Sequence, residues 1–215
     1  MSVADQEQAV ANRLDRFATA YAMLARLLGA PVDTELLEFL AQPGQLEEWP
    51  MERDVPTTLG LDTLRMSLGR EDIDALAYDY QSLFVGPGRP HAVPYESVYR
   101  GKEGLLFEEP TFDVRRTYET FGLVAPELNR EPDDHIALEF SFLAHLCLTA
   151  LDALERAEDL TVDQCLAAEQ AFLVDHLLQW VPLVLDAMVV QAGSEFYRGV
   201  AQLARGVLAQ GSMTD

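Results

Sequence analysis

An all-α fold is predicted by three features of this 215-residue sequence. Apolar residues recur at spacings of three and four along most of the chain. No stretch alternates apolar and polar with a period of two, and there is no internal repeat. Glycine and proline clusters fall between the periodic segments and divide them into helices. With 49% apolar and 24% charged residues, the chain has the balance of one that buries a core.

The elements follow in order. Val10, Leu14, Phe17, Tyr21, Leu24 and Leu28 mark a first amphipathic helix, ended by Gly29 and Pro31. A short helix after Asp33 carries Leu36, Leu37 and Leu40; Pro43, Gly44, Pro50 and Pro56 then break the pattern, with Trp49 folding the loop onto the core. Leu61, Leu64 and Leu68 define a helix stopped at Gly69, and Ile73, Leu76, Tyr80, Leu83 and Phe84 another. From Val85 to Gly104 the periodicity is lost, and a long loop of this kind is often functional. Thr111 is expected to cap a helix reaching Phe121. A long apolar helix should run from about Asp133 to Arg156. Thr161 with Gln164 matches a capping box, Pro182 implies a restart near Trp180, and Gly193-Ser194 precede a last helix through Leu208.

Fifteen Lys and Arg against 36 Asp and Glu leave a formal charge of −21, a field that disfavours nucleic acid and anionic membrane and favours cationic partners. Cys147 and Cys165 lie in apolar helical patterns without metal spacing, as in reduced intracellular proteins. The N-terminus lacks the basic-then-apolar pattern of a leader, and no apolar run reaches spanning length. The chain is therefore expected to be soluble and cytoplasmic.

The segment Glu131-Pro132-Asp133-Asp134-His135 sets three carboxylates and a histidine at the mouth of the apolar helix. Its proline and acidic residues suit a first helical turn, where free N–H groups favour negative charge. The same carboxylates suit a cationic ligand. His135 and Glu139 stand four apart, but His145 falls on another face and no Glu-x-x-His motif exists, so no metal or other cofactor is expected. Acid–base chemistry by Asp134, His135 and Glu139 is the enzymatic alternative, without a phosphate loop or nucleophile elbow to accompany it. His176 and Trp180 read as a packed helical pair.

Three blocks in this order, Tyr80-Gln81-Ser82-Leu83-Phe84-Val85-Gly86-Pro87-Gly88, Pro94-Tyr95-Glu96-Ser97-Val98-Tyr99 and Glu131 to His135, resemble the TorD/DmsD family of cytosolic molybdoenzyme maturation chaperones. Phe172, His176, Leu177 and Trp180 fit the family's C-terminal part, so the resemblance spans most of the chain. It implies an all-helical protein of two subdomains, 1–130 and 131–215, hinged at the acidic segment. It also implies a non-enzymatic function, in which the twin-arginine signal peptide of a molybdoenzyme catalytic subunit is bound and export waits for cofactor loading. Carried onto this sequence, the binding surface comprises Tyr80, Leu83, Phe84, Pro94, Pro132, Asp134 and His135. Tyr80 stands where some members have tryptophan. Glu131 and the two aspartates suit guanidinium groups, and Tyr95 and Tyr99 extend the apolar wall. A NarJ-like chaperone that grips the mature client is a further alternative. The resemblance allows a monomer or a domain-swapped homodimer.

Overall fold

The computed structural model describes residues 2–213. Ten helices run in chain order among these residues: α1 (Val3–Gly29), α2 (Thr34–Leu40), α3 (Val55–Ser67), α4 (Ile73–Tyr80), α5 (Glu96–Arg100), α6 (Glu109–Thr120), α7 (Ile136–Glu155), α8 (Asp159–Phe172), α9 (Leu178–Gln191) and α10 (Glu195–Ser212). Wide π turns extend α4 over Gln81–Val85 and join α8 to α9 over Leu173–Leu177. The only strand-like pairing among the described residues is the isolated antiparallel bridge between Tyr95 and His135. The fold is all-α.

Two helix pairs build the bundle, α1 along α7 and α3 along α10, with α8 completing the layer over α7. The α1 stripe predicted from the sequence is buried from Leu14 to Leu28, and it meets Phe140 of α7 through Tyr21, with ring centroids 6.1 Å apart. The α3–α10 crossing is close because glycines face each other. A Cβ on Gly199 would sit 2.7 Å from the Leu64 side chain and 3.0 Å from the Gly60 carbonyl. Gly199→Ala is therefore expected to lower stability by about 2 kcal/mol through overpacking, measured by urea denaturation. A loss below about 0.5 kcal/mol would show that the pair can separate freely.

Several boundaries differ from expectation, each for a local reason. Pro56 does not break the chain but sits in the first turn of α3, behind Asp54, which accepts the Thr57 N–H at 2.8 Å. Thr111 is no cap; α6 begins at Glu109, and the Thr111 hydroxyl is used elsewhere. Thr161 and Gln164 form no capping box, since the Glu158 carbonyl already accepts from Thr161 and Val162 and starts α8 earlier. The break near Trp180 is the π turn at Leu173–Leu177, with Pro182 tolerated inside α9. The capping box that does form joins Ser2 and Asp5 at the head of α1.

Contrary to the sequence expectation, Ile136–Glu155 and the continuous stretch Asp159–Gln191 are long and apolar enough to cross a membrane by length and composition. In the fold, 61% of the apolar window of α7 is buried within the bundle, against α1 and α8. Its hydrophobicity is that of a core helix.

Candidate functional site

The loop expected from Val85 to Gly104 is interrupted by α5, which turns the Pro94–Tyr99 block into the start of a short helix. Upstream, the π turn leaves two carbonyls to be satisfied by the loop that follows. His91 N–H donates to Ser82 O at 3.3 Å, and Ala92 N–H to Leu83 O at 2.7 Å. Gly86 makes this return possible with φ +120° and ψ −173°, a region open essentially to glycine. Its Cβ would also strike the Gly88 carbonyl at 2.9 Å. The Leu-Phe-x-Gly-Pro-Gly block thus folds the loop back on its own helix.

The carboxylates of the acidic segment do not cap α7. Residues 131–134 precede α7 as loop, and the N-cap is His135, whose Nδ1 accepts the Ala137 N–H at 3.1 Å. Asp133 is buried and takes a two-pronged bond from Arg115, Nε to Oδ2 at 3.0 Å and Nη2 to Oδ1 at 2.7 Å. Asp134, fully buried, accepts the Ser97 N–H at 2.6 Å on one oxygen and the Thr111 hydroxyl at 2.8 Å on the other. Its carbonyl accepts the Glu96 N–H, and the Pro94 carbonyl accepts the Ile136 N–H. Asp133 and Asp134 therefore fasten α5 and α6 to the head of α7, and neither has a carboxylate oxygen free for an arriving guanidinium.

What this fastening shapes is a groove of about 1050 Å³. Its floor is Tyr80 and Phe84, with ring centroids 4.9 Å apart and the Tyr80 hydroxyl donating to Leu28 O at 3.2 Å. One wall is Pro94, Tyr95 and His135, the last two rings edge to face at 5.0 Å. The Tyr95 hydroxyl donates to Glu131 at 3.0 Å, and burial together with that carboxylate pushes its pKa up. Burial also lifts the Tyr80 hydroxyl to about 12 and lowers His135 to about 4, so this imidazole is neutral at physiological pH. With Nδ1 accepting, the ring proton sits on Nε2.

Six of the predicted residues, Tyr80, Phe84, Pro94, Tyr95, Glu131 and His135, line this one groove. Leu83 is buried beneath the floor, Pro132 is buried in the loop, Asp134 works from behind the wall, and Tyr99 packs on Trp180 with centroids 5.6 Å apart. Sequence reasoning missed Leu105 and Leu106, which stand exposed on the opposite rim, and the rim carboxylates Glu103 and Glu127. The available signal was Leu105-Leu106-Phe107, three apolar residues in a loop with no helical period. Glu108 folds that loop by accepting the Leu105 N–H at 2.7 Å and the Glu103 N–H at 3.1 Å.

The enzymatic alternative does not match this geometry. Glu139 is fully buried and held well above the usual carboxylate range by burial and by the nearby charges of Glu96 and Asp134. It accepts from Trp180 Nε1 at 3.1 Å, while His176 bonds Glu96 at 2.9 Å and stacks on Phe172. Asp134 and Glu139 have no route to a substrate, and His135 has its Nδ1 engaged. No group of His, Cys, Asp and Glu among the described residues is placed to hold a metal ion.

The fold is thus an all-helical bundle with one large open groove, lined by aromatic and apolar side chains and by three exposed carboxylates. Comparison with known proteins gives the family. The model of the family described as "Nitrate reductase delta subunit" matches residues 52–186. The "Chaperone protein TorD" of Vibrio cholerae is 30% identical over 177 residues, covering 82% of this chain and 77% of the relative. That of Aliivibrio fischeri is 30% identical over 196 residues, 86% and 88% of the two chains. The "Tat proofreading chaperone DmsD" of Salmonella typhi is 28% identical over 198 residues, 88% of each. The chain belongs to the TorD/DmsD family, whose members are chaperones and not enzymes.

Proposed function

We propose that this protein is a cytoplasmic chaperone that binds the twin-arginine signal peptide of a molybdoenzyme catalytic subunit in the groove, and so delays export until the cofactor is loaded. The observation that carries this reading is the pairing of an apolar floor, Tyr80 and Phe84, with three exposed rim carboxylates, Glu103, Glu127 and Glu131. Such a groove suits a segment with two guanidinium groups beside an apolar run, because carboxylates bind guanidinium in forked fashion and apolar side chains leave water for the floor. The −21 charge steers a basic peptide toward it. Tyr80, Phe84, Pro94, Tyr95, Glu131 and His135 are the proposed contacts; Leu83, Pro132 and Asp134 support them, and Tyr99 flanks them.

Replacing Glu127 and Glu131 together by glutamine is expected to weaken binding of a synthetic twin-arginine peptide about tenfold and to flatten its salt dependence. Titration calorimetry at two ionic strengths reads both effects. Unchanged affinity at each salt concentration would remove the rim carboxylates from the site.

A second reading, a grip on the mature client, draws support from the nitrate reductase delta subunit description of the matching family. Binding of the client without its signal, at the affinity of the full precursor, would decide for it. Residues 1–130 and 131–215 are proposed as the two subdomains, hinged at 131–135. Opening there must part α1 from α7 and α3 from α10 as well as break the Asp133–Arg115 pair and the Asp134 bonds, and light scattering reads whether a monomer or a swapped homodimer results.

A further inference from the structure

A second, smaller cavity of about 270 Å³ adjoins the groove, and Arg89, Pro90, Val93 and Val98 line both. Only the side chains of that shared ridge separate the two. On the far side the cavity is closed by α9, through Leu183 and Ala187, and by the Tyr99 ring held against Trp180. Leu183 is 53% exposed although Val93, Val98 and Ala187 line the same cavity, so the fold leaves apolar surface here uncovered.

The charge of this hollow is opposite to that of the groove. Arg89 is exposed on the ridge and His91 stands beside it, whereas Glu103, Glu127 and Glu131 belong to the groove alone. Most arginines of this acidic chain are in ion pairs, but no carboxylate among the described residues lies within ion-pair distance of Arg89. An unpaired guanidinium in a −21 chain, set between the groove and this smaller cavity, is complementary to a carboxylate carried by a bound molecule.

We propose that the Arg89–Leu183 cavity is a second subsite of the groove, taking an apolar side chain of the same client peptide beyond its cationic part, with Arg89 pairing with a peptide carboxylate next to that side chain. The inference rests on the groove's taking a cationic, apolar peptide. It gives the site a polarity, with cations of the ligand against Glu127 and Glu131 and an anion against Arg89. It also gives Tyr99 a place as the wall of the second subsite.

Two fluorescein-labelled peptides test it on the full chain by anisotropy: a short one with two arginines and a leucine-alanine run, and a long one that adds an Asp-Leu pair. The long peptide is expected to bind the unaltered protein about tenfold more tightly than the short. Leu183→Ser, at an exposed position, should reduce that ratio to about threefold. Arg89→Glu should act in opposite directions, tightening the short cationic peptide and weakening the long one, and an Asp-to-Lys exchange in the long peptide should recover the loss. Equal affinities of the two peptides, or an Arg89→Glu effect of the same sign on both, would overturn the second subsite while leaving the groove intact. Binding of neither peptide to the unaltered protein would overturn the reading of the groove and this extension with it.

Discussion

Asp134→Ala is expected to destabilise the protein by about 3 kcal/mol and to abolish high-affinity peptide binding, although its side chain does not line the groove. Alanine leaves the buried Ser97 N–H and the Thr111 hydroxyl without their acceptor. These two bonds hold α5 and α6 to the head of α7, and the same region carries Tyr95 and Val98 on the groove wall. Part of the loss is offset, because burial already pushes the Asp134 carboxyl upward and removing the charge relieves that cost. Asp134→Asn provides the control. Its amide oxygen can still accept the Ser97 N–H, and the Thr111 hydroxyl can turn to accept from the amide nitrogen. It should therefore cost less than half as much. Urea denaturation gives the stabilities and calorimetry the affinities. A stable Asp134→Ala variant with unchanged binding would refute the fastening role, and equal losses in the two variants would point to the charge itself.

The helices were legible because their signals are local. The α1 stripe, the Asp33 start of α2 and the Ser194 start of α10 each need only a few adjacent residues, and each stands where the sequence placed it. The groove's floor and one wall were legible through the resemblance, since Tyr80, Phe84, Pro94, Tyr95, Glu131 and His135 lie in its three blocks. The division of labour inside the acidic segment was not. In sequence Glu131, Asp133 and Asp134 look alike; what separates them is that Arg115, Ser97 and Thr111, at 18, 37 and 23 residues' distance, claim the two aspartates and leave Glu131 exposed. The rim at Glu103 to Leu106 was hidden for a related reason. Its shape comes from the Glu108 carboxylate gathering backbone N–H groups, which leaves no periodic mark in the sequence.

His135 should make the fold acid-sensitive in a definite window. Burial lowers its pKa from an ordinary 6.5 to about 4, so between these values the unfolded chain holds a proton that the native chain does not. Its contribution to stability is therefore fully present above about pH 6.5 and is lost as the pH falls toward 4. Over the whole interval this amounts to about 3 kcal/mol, and to about 2 kcal/mol between pH 7 and 5. Asp134 and Glu139 act in the opposite direction, since burial raises both, and acidification also relieves the repulsion within a −21 chain. The raw pH profile thus mixes terms of both signs. His135→Asn separates them: asparagine can still accept the Ala137 N–H as an N-cap, but it does not titrate. The stability gap between the unaltered protein and His135→Asn, measured by urea denaturation at pH 7 and pH 5, should narrow by about 2 kcal/mol on acidification. A gap that stays constant would mean that His135 titrates alike in the folded and unfolded chains, and that protonation leaves its Nδ1 cap on α7 undisturbed.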